Sequence, residues 1–194
     1  MPFEYKFLAL PGNPSLNNLW DLKNFFKLNG YSLGELEKSS EPHIALAVAE
    51  TDNEDLIKKA LNKSEIVLKH FHPFEINPIK LTKEPRFHEN VITSYWIAYL
   101  FNSPTLYLLS DKLIDLFENL KISETYNYVT GIKDADPESA DRRVIGDHMN
   151  ICNKCKPEHV DFVYEKIEKE ATKKITISKI ILQKNKETIW EFDI

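Results

Sequence analysis

Short segments of the chain alternate large apolar residues with polar or small ones, which is the period of a half-buried β-strand. Longer segments repeat apolar residues at the spacing of an amphipathic helix. Predicted strands cover 3–10, 42–49, 65–71, 74–81, 93–102, 105–109, 143–152, 174–182 and 188–192. Predicted helices cover 15–27, 53–62, 111–120 and 157–171. A weak internal repeat results, in which a strand, a histidine, a helix and further strands occur twice.

Two of the predicted strands carry similar tetrads, His43-Ile44-Ala45-Leu46 and His148-Met149-Asn150-Ile151. Successive side chains of a strand point to opposite faces. Ile44 and Leu46 therefore share one face, and His43 and Ala45 share the other. The same parity separates Met149 and Ile151 from His148, Asn150 and Cys152. We therefore expect two histidines in equivalent positions of a duplicated unit, where they could form an acid–base pair.

Composition narrows the class of protein. The chain has 194 residues, 42% hydrophobic and 28% charged, which suits one globular domain with a proper core. The net charge of −5 argues against duplex DNA as a partner, because such binding needs many phosphate contacts, but it allows a pocket for one or two phosphates. Neither a signal peptide nor a membrane-spanning run is evident. Two cysteines close together, Cys152 and Cys155, indicate a reduced, cytoplasmic protein.

The paired tetrads resemble the repeated His-x-Thr/Ser-x motif of the two-histidine (2H) phosphoesterase superfamily, which includes 2′-5′ RNA ligase-like proteins and cyclic phosphodiesterases. Phe7-Leu8-Ala9-Leu10 with its helix resembles the opening element of that family, and Leu106 to Ser110 with its helix resembles the matching element of the second half. The resemblance implies an α+β fold over 1–194, a single domain with two pseudo-symmetric lobes. Each lobe would be an antiparallel sheet with outer helices, and a cleft would lie between them.

The resemblance also implies a function. His43 and His148 would share the acid and base roles of a phosphodiesterase that uses no metal or other cofactor. Its substrates would be 2′,3′-cyclic phosphate ends, nucleoside cyclic phosphates or 2′-5′-linked oligonucleotides, bound by a monomer. Where the family has a phosphate-binding hydroxyl, this chain has Ala45, which donates nothing, and Asn150, whose amide still donates. Arg86 or Arg143 could compensate for the missing hydroxyls.

Two other classes stay open at this stage. Substituted hydroxyls also fit a catalytically impaired relative that binds a nucleotide or an RNA end. A third reading uses the set H-x3-C-x2-C-x3-H, formed by His148, Cys152, Cys155 and His159, as a zinc site, or the two cysteines alone as a redox pair. The zinc reading competes directly with catalysis for His148.

Overall fold

The computed structural model describes residues 3–31, 42–117 and 147–194, together with the backbone of 121–122, 125–126 and 133–134. Four α-helices occur in these ranges, α1 (Ser15–Leu28), α2 (Glu54–Leu68), α3 (Pro104–Leu116) and α4 (Val160–Glu170), the last preceded by a 3₁₀ turn at Pro157–His159. The strands of the first half and the middle are β1 (Phe3–Pro11), β2 (Ile44–Thr51), β3 (Phe74–Ile76), β4 (Lys80–His88) and β5 (Val91–Leu100). The remaining strands are β6 (Lys121–Ile122), β7 (Thr125–Tyr126), β8 (Lys133–Asp134), β9 (His148–Cys155), β10 (Ile175–Lys184) and β11 (Glu187–Asp193).

One antiparallel sheet connects the two halves of the molecule. Its main order is β11-β10-β1-β2-β9-β5-β4, with β3 paired to β10 and β6 paired to β2. The two halves meet where β2 pairs with β9, and the residues in register there are Ile44 and Met149. The fold is therefore α+β, as predicted, and the two strands that carry the histidine tetrads are neighbours at its centre.

All four helices pack against one face of this sheet. Leu22 and Phe26 of α1, Ile57 of α2, Leu109 of α3 and Val163 of α4 join the sheet residues in one buried apolar core. The opposite face carries two small apolar clusters and no helix from the described ranges, and in that sense it is the open face of the sheet. No helix in the described ranges is both long and apolar enough to span a bilayer.

Two predicted strands are wrong and belong to helices. Residues 65–68 continue α2, because Ile57, Ala60, Ser64 and Leu68 fall on its buried side at helical spacing. The β-branched pair at 66–67 suggested a strand, but the helical burial pattern outweighs that preference.

The second error concerns 105–109, which lie within α3. Ser103 caps this helix by accepting a hydrogen bond from the backbone N–H of Leu106, and Pro104 occupies the first turn. Ser110, expected to be the cap, instead lies within α3. Its side chain is buried, and its hydroxyl donates a hydrogen bond to the backbone carbonyl of Leu46. The other predicted helices and the closing hairpin are confirmed to within a few residues.

Candidate active site

The four residues singled out in the histidine tetrads lie together on the open face of the sheet. Ile44 and Met149 are opposite each other and fully buried under the helices. Because side chains alternate along a strand, the residues next to them point the other way. His43, Ala45, His148 and Asn150 are accordingly half-buried rather than buried.

Strand register gives the arrangement of this group. Continuing the Ile44–Met149 register by one residue in each direction sets Ala45 opposite His148 and His43 opposite Asn150. The two histidines are then diagonal neighbours, whose Cα atoms lie about 7–8 Å apart in an antiparallel pair.

A buried carboxylate orients one of the two histidines. Nδ1 of His148 lies 2.8 Å from Oδ1 of Asp147, whose side chain is fully buried, while the imidazole is 26% exposed. The backbone carbonyl of Asp147 accepts a hydrogen bond from the N–H of Phe101, which anchors the start of β9. A carboxylate only accepts, so Nδ1 carries the proton of this hydrogen bond.

Asn150 is held by an indole. Nε1 of Trp96 donates to Oδ1 of Asn150, and the Trp96 ring also meets the His148 ring edge to face at a centroid distance of 5.4 Å. Because the indole N–H is a donor only, it fixes which end of the Asn150 amide is oxygen. The NH₂ group of Asn150 is therefore directed away from Trp96 and keeps its two donors. Trp96 itself is almost completely buried next to Ala98 and Leu100.

A pocket of about 370 Å³ opens beside His43 on the same face. Leu8, Leu10 and Ile181 lie beneath it and are almost completely buried, and its rim is polar, formed chiefly by Lys179, Gln183, Lys186, Thr188 and Glu191. His148 is not among the lining residues, so the pocket lies on one side of the histidine pair.

Comparisons with known proteins support the architecture. The structure resembles Escherichia coli LigT complexed with 3′-AMP, with a TM-score of 0.53 over 100% of this chain and 99% of LigT at 10% sequence identity. A structure described as a phosphoesterase gives a TM-score of 0.52 over 100% of this chain and 99% of that one at 8% identity. Usb1 of Kluyveromyces marxianus aligns over 99% of this chain and 98% of its own, at 10% identity and a TM-score of 0.49. No family model matches, and no curated protein matches.

The chain has the fold of the 2H phosphoesterases. In this fold the two tetrads occupy adjacent central strands, one from each half of the sheet. The duplication seen in the sequence thus corresponds to the two halves that meet at β2 and β9.

The geometry of the described residues contradicts the zinc alternative. A β-bulge shifts the register of β9 between its pairs with Ile97 and Ala98, so Cys152 turns into the core instead of sharing the face of His148. Cys155 is buried in the same core, whereas the His159 ring packs against Tyr31 at a centroid distance of 5.0 Å. Nowhere in the described ranges do three or more His, Cys, Asp or Glu residues gather as a metal site would need.

The thiols are also unsuited to redox chemistry with a partner in solution. Neither cysteine forms a disulfide, and both are fully buried. A hydrogen bond with Cys155, and then burial, raises the pKa of the Cys152 thiol, and the same hydrogen bond lowers the pKa of the Cys155 thiol. Burial therefore separates both sulfurs from a partner in solution, whatever their pKa.

Arg86, one of the two arginines proposed as compensating groups, does not reach the site. Lys80 of β4 pairs with Leu100 of β5, which in turn pairs with His148. Arg86 lies further along β4, about 20 Å from Lys80. There its guanidinium donates to Oδ1 of Asn153 at 3.4 Å. Arg143 lies outside the described residues.

Three contributors were not predicted from the sequence. Asp147 could have been noticed as an acid directly before a histidine, although that dipeptide is common. Trp96 requires knowledge of which residue of β5 faces Asn150, and the pocket residues of β10 and β11 require the order of the sheet. These contacts join residues that are distant in the sequence, and the periodicity of a single strand does not predict them.

Proposed function

We propose that the protein is a phosphodiesterase that acts on a phosphate attached to a nucleoside, with His43 and His148 as its acid–base pair. The observation that carries the proposal is the placement of both histidines on the open face of adjacent central strands. The shared fold with LigT, described in complex with 3′-AMP, favours a nucleotide as the substrate. Because each half supplies one histidine, the two halves would act as one unit.

The geometry favours different roles for the two histidines. Asp147 accepts the Nδ1–H of His148, so Nε2 is the nitrogen of a neutral His148 ring that can accept a proton, and we assign His148 as the base. His43, on the other side of the phosphate, serves as the acid. General acid–base catalysis of this kind contributes about 10²- to 10⁴-fold in rate.

The reaction balances without a further reactant. With a 2′,3′-cyclic phosphate, His148 takes a proton from water, the water oxygen bonds to phosphorus, and one P–O bond to the ribose breaks. His43 then protonates the departing ribose oxygen. With a 2′-5′ linkage, the neighbouring 3′-hydroxyl attacks instead, and His43 protonates the 5′-oxygen of the leaving nucleoside.

Asn150 would bind a non-bridging phosphate oxygen in place of the hydroxyl of the family motif. Its NH₂ group faces away from Trp96 and can donate to an anion. A hydrogen bond to a charged group contributes about 1.5–3 kcal/mol. Ala45 offers no such donor, so of the two tetrads only that of β9 would donate a hydrogen bond to the phosphate from its third position.

The test is a panel of substrates, namely 2′,3′-cyclic mononucleotides and 2′-5′-linked and 3′-5′-linked dinucleotides, measured with and without EDTA. We expect hydrolysis of at least one class, unchanged in EDTA and reduced at least 100-fold in His43→Ala and in His148→Ala. His70→Ala, which removes an exposed histidine beyond the end of α2, is the matched control and should retain full activity. Activity that persists in either active-site variant would contradict the proposed roles.

A second candidate is a binding module that has lost turnover, favoured by the methyl group of Ala45 where the family has a hydroxyl. It predicts that 3′-AMP raises the melting temperature of the wild-type protein although no substrate in the panel is cleaved. Turnover of any panel member that depends on both histidines would exclude it.

A further inference from the structure

Two side chains of helix α3 form hydrogen bonds that leave the helix. Tyr107 and Ser110 are three residues apart, so they lie on the same side of α3. The hydroxyl of Tyr107 donates to the backbone carbonyl of Phe101 at 3.1 Å, and the buried hydroxyl of Ser110 donates to the backbone carbonyl of Leu46. Phe101 directly follows β5, whereas Leu46 belongs to β2. One helix is therefore bonded to both halves of the sheet.

The bond from Tyr107 continues to His148 through the backbone. Phe101 is fully buried, and its N–H donates to the carbonyl of Asp147 at 2.7 Å. The carboxylate of Asp147 then lies 2.8 Å from Nδ1 of His148. A shift of Phe101 would leave buried polar groups without partners, which is costly, so the path from the helix to the imidazole is stiff.

The phenol of Tyr107 stays a donor at every pH at which a histidine changes its charge. Burial, and then the charge of Asp147, raises the pKa of this phenol, so it remains protonated. Tyr164 of α4 makes the same kind of bond at the same distance, 3.1 Å, to the carbonyl of Leu81 on β4. That bond leads to neither histidine, which makes Tyr164 a natural reference.

The bond from Ser110 acts on the other tetrad. Leu46 is the fourth residue of the tetrad that begins with His43, and its side chain is fully buried. Within the described ranges, the register between β2 and β9 consists of the pair Ile44 and Met149. Because so short a ladder fixes the relative position of two strands weakly, a brace from outside the sheet has a role to fill.

We infer that α3 sets the separation of the two histidines of the candidate site. Tyr107 is the positioning residue for His148, and Ser110 is the positioning residue for His43. The inference rests on the proposed function for the catalytic use of that separation. A proton must move on each side of one phosphate, so both rings have to be held in place together. Since both hydroxyls bond to backbone and not to substrate, their removal should lower kcat rather than raise KM.

Four single substitutions in the full-length chain form the test. Tyr107→Phe and Ser110→Ala each remove one hydroxyl and keep the rest of the side chain. Tyr164→Phe is the matched control for the first, because it removes a bond of the same kind and length. Ser64→Ala is the matched control for the second, because the hydroxyl of Ser64 is also buried but donates to a carbonyl of its own helix, α2.

Proton NMR of the ligand-free protein observes each histidine separately. The Nδ1–H resonance of His148 and the ring C–H resonances of His43 are assigned by their loss in His148→Ala and His43→Ala. We expect Tyr107→Phe to shift or broaden the resonance of His148 alone, and Ser110→Ala to shift those of His43 alone. On a cleaved substrate each variant should lower kcat about 3- to 10-fold, the loss of one neutral hydrogen bond, with KM nearly unchanged. Both controls should match the wild type.

The selectivity of these shifts decides the outcome. Unchanged resonances in both variants would overturn the inference, and so would shifts of both histidines in each variant, because those indicate a general loosening of the core. Selective shifts in a protein that cleaves no substrate would leave the positioning by α3 intact while the phosphodiesterase assignment fails. Cleavage that depends on both histidines, with unaltered resonances and kcat in the two variants, would do the reverse.

Discussion

Replacing Trp96 by phenylalanine is the most informative perturbation of the candidate site. It removes the indole N–H that donates to Oδ1 of Asn150 and retains an aromatic ring beside His148. Without that donor the Asn150 amide can rotate, and its NH₂ group no longer points to one side. The phosphate would then have to select the correct orientation on binding.

The size of the effect follows from the hydrogen bond that is lost. A net contribution of about 0.5–1.5 kcal/mol corresponds to about a 2- to 13-fold weaker grip on the phosphate. Asn150→Ala removes the donor itself and should cost about 1.5–3 kcal/mol, or about 13- to 160-fold. Since the indole N–H acts on the phosphate through Asn150, and phenylalanine keeps a ring beside His148, adding Trp96→Phe to Asn150→Ala should cause no further loss.

The assay is a double-mutant cycle on kcat, KM and the inhibition constant of 3′-AMP. Asn150→Thr extends the cycle by restoring the family hydroxyl, which does not need an indole to orient it, so Trp96→Phe should be silent in that background. Trp190→Phe is the control, because that indole stacks on Phe192 under the helices. Additive effects of Trp96→Phe and Asn150→Ala, or a Trp96→Phe protein no different from Trp190→Phe, would refute the reasoning.

Three further predictions concern positioning and stability. Asp147→Asn removes the carboxylate that orients His148. We expect kcat to fall about 10- to 100-fold, which is part of the ~10²–10⁴ that an acid–base group contributes, while KM stays nearly unchanged. An unaltered kcat would show that Asp147 has no part in the mechanism. The buried hydroxyl of Tyr99 has no hydrogen-bond partner among the described residues, so Tyr99→Phe should raise the free energy of unfolding by about 1 kcal/mol. Burial raises the pKa of Tyr99 to about 12, so the wild type should lose about 2 kcal/mol as pH rises from 10 to 12, and Tyr99→Phe should lose less in urea titrations at each pH. Ser103→Ala removes the cap of α3 and should lower the melting temperature through a loss of about 1 kcal/mol; an equal melting temperature would show that the cap contributes nothing.

The sequence was sufficient for the parts of the fold that depend on local alternation. β1, β2 and β10 were predicted because each is a short run of mainly apolar residues, and most of those residues are buried. The failures at 65–68 and 105–109 have a common cause. Short runs of β-branched, aromatic and leucine side chains suit either a buried strand or a helix, and only contacts with distant elements decide between them.

The candidate site was predictable only as far as parity extends along single strands. Parity put His43 with Ala45 and His148 with Asn150, and the structure places all four on the open face. Parity failed at Cys152, where a bulge adds one residue and turns the thiol into the core. The partnership of Trp96 with Asn150 depends on register between strands separated by more than fifty residues, which a single sequence does not reveal.

The two departures from the family motif have opposite physical consequences, and together they suggest how the face is divided. At position 45 the loss of a hydroxyl leaves a methyl group that packs against the buried cluster of Leu8, Leu10 and Ile181. At position 150 the hydroxyl is replaced by an amide that an indole holds in one orientation. The half of β9 would therefore supply the hydrogen bond to the phosphate, with His148 oriented by Asp147, while the half of β2 would supply His43 alone. A hydroxyl restored by Ala45→Thr should then add a phosphate contact, so this division predicts tighter binding of both inorganic phosphate and 3′-AMP in titration calorimetry, and unchanged binding of both would contradict it.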